Sequence, residues 1–253
     1  MELFKEADEG WLKERTILLA RAGSYAHGTQ IEGSDKDYKG ICIPPEEYYL
    51  GLNAFNEFNN SGGRNFKNTI VDLDISITHL NKFVKDAMLG VPNNIELLFV
   101  RPEDWLIITD LGRKLIKHRQ LFLSKLIEKK FGGYAKSQVK KMISLTGTEK
   151  TTEESSVIAD YDTKLFMTSI RLLTSAIEIL ETGTYITYRG NRDLLLDCRQ
   201  GKYSFNEALD MIEDYERRLK LALEETELPD RPDYQKVNRL LIDLNVDGLG
   251  LKR

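Results

Sequence analysis

Cysteine is scarce in this chain: Cys42 and Cys198 are the two present, and neither has a second cysteine or a histidine at metal-ligand spacing. Disulfide scaffolds and zinc fingers are therefore disfavoured, and a reducing compartment fits. No stretch approaches the roughly 20 apolar residues that a membrane-spanning helix requires. The first fifteen residues, MELFKEADEGWLKER, are charged and carry no apolar signal core. A cytoplasmic protein with no membrane contact is the expectation. Net positive charge is also missing: 36 Lys and Arg stand against 40 Asp and Glu, a balance of −4. Attraction to nucleic acid over the whole surface is thus disfavoured, although a local one is not.

What is present fits an ordered globular protein, with 41% hydrophobic and 30% charged residues in 253. That length suits one large domain or two modest ones. Charge is segregated along the chain. Residues 110–141 hold ten Lys or Arg against two acids, 10 − 2 = +8, which leaves −4 − 8 = −12 for the remainder. Lysines at such spacings serve either as the wet faces of amphipathic helices or as a basic wall toward a polyanionic acceptor or a triphosphate.

The informative stretch is residues 21–40, RAGSYAHGTQIEGSDKDYKG. An apolar run at 16–20 (TILLA) leads into the turn Gly23-Ser24, and residues 25–30 suit a short helix. Glycine lets the backbone bend tightly and approach a ligand, while N–H groups at the start of the helix, joined by the Ser24 hydroxyl, would face an anion. Residues 38–44 (YKGICIP) then predict a strand. Alternate residues of an extended chain share a face, so Asp35 and Asp37 present two carboxylates on one side, an arrangement suited to Mg²⁺.

Elsewhere, residues 2–15 predict a helix packed beside the first strand. The aromatics Tyr48, Tyr49, Phe55 and Phe58 serve as core cover or as a stacking surface for a base, ahead of a polar loop at 59–63. Residues 68–77 (NTIVDLDISI) alternate as a half-buried strand does, with Asp72 and Asp74 opposite Leu73 and Ile75. A helix is expected at 78–89, a turn capped by Asn93-Asn94 before Glu96, and a helical stretch at 110–145 with a break at Gly132-Gly133. Residues 147–156 (GTEKTTEESS) are the best linker candidate, dividing residues 1–146 from a helical region at 157–253. In that region helices are expected at 160–181, 204–226 and 234–244. Ser204 opens a capping box, and residues 184–188 form a short strand or an extended connection.

The Gly-Ser turn, the Asp-x-Asp strand and the later strand aspartate resemble the signature of the DNA polymerase β superfamily of nucleotidyltransferases. GSYAHGT, GSDKDYKGICIPP, DISITHLNKF and VPNNIELLFV are similar to a branch that includes proteins associated with RNA ligase in RNA repair. KLFMTSIRLL, ILETGTY, DCRQGKYSFNEAL and ELPDRPD extend the likeness over most of the chain. The resemblance implies an α/β (α+β) fold, a small mixed sheet flanked by helices and followed by a mainly helical C-terminal region. It makes residues 1–146 the catalytic domain, Gly23 and Ser24 the triphosphate turn, and Asp35, Asp37 and Asp74 the metal-binding catalytic carboxylates. Lys39, Lys164 and Arg171 become candidate phosphate clamps, and His27 a candidate nucleotide contact. Glu96 matches a family glutamate of unassigned role. A family histidine is replaced by Thr168, so the helix carrying Lys164 and Arg171 offers them, on one face, to phosphates or to an internal carboxylate. The implied activity is transfer of an NMP from an NTP to a hydroxyl with Mg²⁺ or Mn²⁺. The acceptor would be RNA (tRNA or a broken RNA end), a protein or a small molecule. An inactive nucleotide- or RNA-binding regulatory module is the alternative.

Overall fold

The structure, a computed structural model, describes residues 2–4, 7, 9–60, 73–146 and 160–251. Asp72 and the expected linker at 147–156 lie outside the described residues. Five strands form one mixed sheet: β1 (Thr16–Arg21), β2 (Lys36–Cys42), β3 (Glu57–Asn59), β4 (Leu73–His79) and β5 (Trp105–Ile108), in the order β3-β4-β2-β1-β5. β2 and β4 run parallel, while the other neighbours are antiparallel. β1 sits next to the middle of this order and is buried from Thr16 to Ala20, which explains why TILLA is continuously apolar.

Alternation along the strands divides the apolar residues between two faces. Leu19, Cys42, Ile75 and Ile77 join Leu12 and Phe55 on one face, roofed by Trp11 and Tyr48. Leu18, Ala20 and Ile41 on the other meet Phe83, Ile95, Phe131, Phe166 and Leu244 of the helices. The helices are α1 (Leu12–Arg15), α2 (Gly23–His27), α3 (Glu47–Leu50), α4 (Leu80–Met88), α5 (Pro92–Phe99), α6 (Asp110–Lys117), α7 (Leu126–Leu145), α8 (Thr163–Thr182), α9 (Arg192–Arg199), α10 (Phe205–Glu225) and α11 (Tyr234–Leu249). Helix α8 lies at the centre of the helical side, packed against α7, α9 and α10. One apolar core therefore runs through residues on both sides of the 147–156 stretch.

Several elements differ from the expectations. The helix expected over 2–15 is a 3₁₀ turn at Glu2–Phe4 and the single turn α1, separated by a turn at Gly10-Trp11. That turn lets Trp11 pack on Tyr48 and Phe55 and donate to the Tyr48 hydroxyl at 3.2 Å. Tyr48 and Phe55 thus cover the sheet. The expected break at Gly132-Gly133 falls instead between α6 and α7, and α7 runs through both glycines. Gly132 faces α10, where an added Cβ would lie 3.3 Å from Leu219, so it permits close packing of the two helices. Helix α5 starts at Pro92, placing Asn93 and Asn94 inside it, and the Asn94 amide donates to the Phe83 carbonyl at 3.2 Å. Residues 184–188 are not a strand but an irregular connection that bends at Thr187-Tyr188. The capping box at α10 is as expected: the Ser204 backbone N–H donates to Glu207 at 2.8 Å, and the Glu207 N–H to the Ser204 hydroxyl at 3.4 Å.

Candidate active site

The parallel register of β2 and β4 sets Asp37 directly opposite Asp74. Paired residues of adjacent strands share a face, so both carboxylates belong to the helix-covered side, with Asp35 two residues earlier and exposed. Above them passes the β1–α2 turn. The Ala22 N–H donates to the Asp37 carbonyl at 2.9 Å, and Gly23 has φ +56°. A Cβ on Gly23 would lie 1.9 Å from Asp37 Oδ2, so the turn touches the carboxylate and only glycine fits. Burial, followed by the charge of Asp74, raises the pKa of the Asp37 carboxyl; Lys39 opposes this shift and Asp35 adds to it.

This donor set is of the kind that hard divalent cations take: carboxylate oxygens whose mutual repulsion a cation would relieve. Among the described residues no three His, Cys, Asp or Glu side chains are gathered closely enough to hold an ion as they stand.

In front of Asp37 opens a cavity of about 300 Å³. Gly23, Ser24, Asp35, Asp37 and Lys39 form its strand wall, and Asn93, Glu96, Lys164, Thr168 and Arg171 its helix wall. Residues 31–34 make the rim, and Arg199 of α9 reaches in. Asp74 does not line it.

The helix wall is a connected network. Arg171 of α8 forms a hydrogen-bonded ion pair with Glu96 of α5, both 13% exposed. His27 lies behind them, with Nε2 3.5 Å from Glu96 and Nδ1 3.2 Å from the Thr187 carbonyl. Burial opposes ionisation of Glu96, but Arg171 and His27 beside it hold its carboxyl far below the usual carboxylate range. Burial and then Arg171 lower the pKa of His27. Burial likewise lowers that of Lys39, against the pull of Glu96 and Asp37. Tyr185 completes the group: it shares a hydrogen bond with Ser175 at 3.3 Å, and burial pushes its hydroxyl up to about 12.

The structure thus brings Gly23, Ser24, Asp35, Asp37, Lys39, His27, Lys164 and Arg171 to one cavity, with Asp74 behind Asp37. Of the two roles open to Arg171, the internal carboxylate is the one occupied, by Glu96. His27 is buried beneath the cavity. Thr168 turns its hydroxyl back to the Lys164 carbonyl at 2.7 Å and so remains part of the helix. Sequence reasoning gave Asn93 only a capping role and assigned none to Tyr185, Thr187 or Arg199. The nearest signal for Arg199 was its place in DCRQGKYSFNEAL.

A Gly-Ser turn over a pair of strand aspartates in a mixed sheet, facing a helix wall with basic residues, is a nucleotidyltransferase-like arrangement. The chain belongs to the RNA repair pathway DNA polymerase beta family, whose profile matches residues 4–243. An uncharacterised 38.9 kDa protein from the nrdC–mobD intergenic region of Enterobacteria phage T4 is 28% identical over 132 residues. That match covers 50% of this chain and 38% of the phage protein. The crystal structure of a nucleotidyltransferase-like protein from Exiguobacterium sibiricum 255-15 aligns with 98% of this chain and 77% of its own, at TM-score 0.32 and 10% identity. Among the described residues no helix is long and apolar enough to cross a membrane.

Proposed function

We propose that the chain is a divalent-metal-dependent nucleotidyltransferase that moves an NMP from an NTP to an acceptor hydroxyl and releases pyrophosphate. The observation that carries this is Gly23 pressed on Asp37, itself in register with Asp74. Backbone able to hold phosphates and carboxylates able to hold cations lie in contact.

Asp35, Asp37 and Asp74 would hold the metal ions. Mg²⁺ or Mn²⁺ there would supply charge to neutralise the triphosphate and to lower the pKa of the acceptor hydroxyl. Gly23 and Ser24 hold the β and γ phosphates, and Lys39 and Lys164 offset their charge. Glu96 keeps Arg171 oriented on the helix wall. The acceptor oxygen bonds to the α-phosphorus, the bond from that phosphorus to the bridging oxygen breaks, and pyrophosphate leaves. Asp74, outside the nucleotide-sized cavity, takes the acceptor proton. Membership of an RNA repair family favours an RNA end as acceptor, over a protein or small-molecule hydroxyl.

Incubation with each labelled NTP, Mg²⁺ or Mn²⁺ and bulk RNA, followed by mass spectrometry of RNA and protein, tests the activity. Transfer should fall by roughly a thousandfold in D35A/D37A, equivalent to about 4 kcal/mol. Transfer untouched by that change refutes the assignment. A nucleotide-binding module without turnover is the competing reading, favoured by carboxylates that are not gathered as they stand. NTP binding independent of metal, with no product from any acceptor, would select it.

A further inference from the structure

Asp37 lines a second cavity besides the one facing the helix wall. It measures about 150 Å³ and is bounded by Arg21, Tyr25, Lys36, Asp37 and Tyr38. β1 and β2 build it together, since Arg21 is paired with Tyr38 in the antiparallel register. Arg21 and Lys36 are exposed and Tyr25 and Tyr38 half-buried. No ion pair or hydrogen bond engages the Arg21 guanidinium or the Lys36 ammonium among the described residues. This contrasts with the helix wall, where Arg171 is held by Glu96.

Two free cations beside two phenol rings match the chemistry of a single-stranded polynucleotide: phosphates for the charges, base faces for the rings. A protein hydroxyl would need neither. The nucleotide cavity holds its own basic residues, so this second set is not required by the triphosphate.

We propose that the Arg21–Tyr25–Lys36–Tyr38 cavity binds a single-stranded segment of an RNA acceptor, on the strand face from which the Asp37 carboxylate is turned away. That the bound RNA is an acceptor rests on the transferase reading; the binding does not.

The test measures binding directly, without turnover. A fluorescein-labelled RNA octamer is titrated with wild-type protein and with R21E/K36E across a salt series, and NTP affinity is measured on both. The double variant should lose at least about tenfold in RNA affinity. Its salt slope should be shallower by about 1.4, the value for two single-strand phosphates, with NTP affinity unchanged. Tyr25→Leu should weaken RNA binding with no change of slope. Equal RNA affinity in wild type and R21E/K36E overturns the proposal. So does NMP transfer confined to a protein hydroxyl and insensitive to the double change. If the octamer results hold while no NTP is ever turned over, the binding site stands and the transferase reading falls.

Discussion

On the strand side of the cavity Asp37 lies opposite Asp74 with Asp35 nearby, so like charges face one another. On the helix side Glu96 is held between Arg171 and His27, and each charge has a partner from the same chain. Burial and neighbouring like charge act against the ionised Asp37, whereas Arg171 and His27 hold Glu96 ionised. On the function proposed above, the strand wall receives ligand and the helix wall keeps the receiver in shape, since a site for cations leaves local interactions unfavourable until they arrive.

Single substitutions on the two walls should therefore affect stability in opposite directions. Glu96→Ala strands the buried Arg171 guanidinium and should cost about 3–5 kcal/mol in urea unfolding. Asp37→Asn removes a raised-pKa carboxylate and should leave the metal-free protein as stable as wild type or more so. Equal losses at both positions would break the comparison.

Gly23→Ala tests the contact between turn and carboxylate. The positive φ alone adds strain of about 1–3 kcal/mol, and the new methyl must displace the Asp37 side chain. Calorimetry should show NTP affinity falling by tenfold or more alongside a modest drop in Tm. An unchanged affinity would separate the turn from phosphate binding.

The smallest effect is on pH dependence. The pKa of His27 in the folded chain lies below the ordinary 6.5, so the unfolded chain takes up this proton first as pH falls. Stability from the neutral ring is present above that value and declines below it, by up to about 1.4 kcal/mol per pH unit. Both ring nitrogens face acceptors, so the neutral ring donates to only one of them. Unfolding curves from pH 8 to 5 should show the loss in wild type and a shallower one in His27→Gln. Equal slopes would remove His27 from the helix wall.

The strand wall was largely legible in the sequence because its signals are local. Gly23-Ser24 sits between an apolar run and a helix-compatible stretch, and the two-residue period of a strand puts Asp35 and Asp37 on one face. The alternation around Asp74 likewise gave the right face, but its register against Asp37 depends on a partner strand more than thirty residues away. The helix wall depends on such distant pairings throughout. Glu96 and Arg171 meet because α5 and α8 pack together, and neither segment encodes the other's position. Packing also hid the continuity of α7 through Gly132-Gly133, where glycine usually signals a break. The short strands β3 and β5 and helix α9 gave too few residues for a period to show.

Gly28 closes α2 with φ +73°, and its α-carbon lies against the Tyr188 ring, where a Cβ would come within 2.7 Å. The Arg189 N–H donates to the His27 carbonyl at 3.1 Å, and the Arg101 guanidinium lies over the Tyr188 ring at 3.9 Å from its centroid. The Gly23-Ser24 turn and its helix are thus fastened by residues some 160 positions further along the chain. On the ribosome, a nascent chain carries Asp35, Asp37 and Asp74 before it has this clasp, so the fixed position of the turn waits for the later segment.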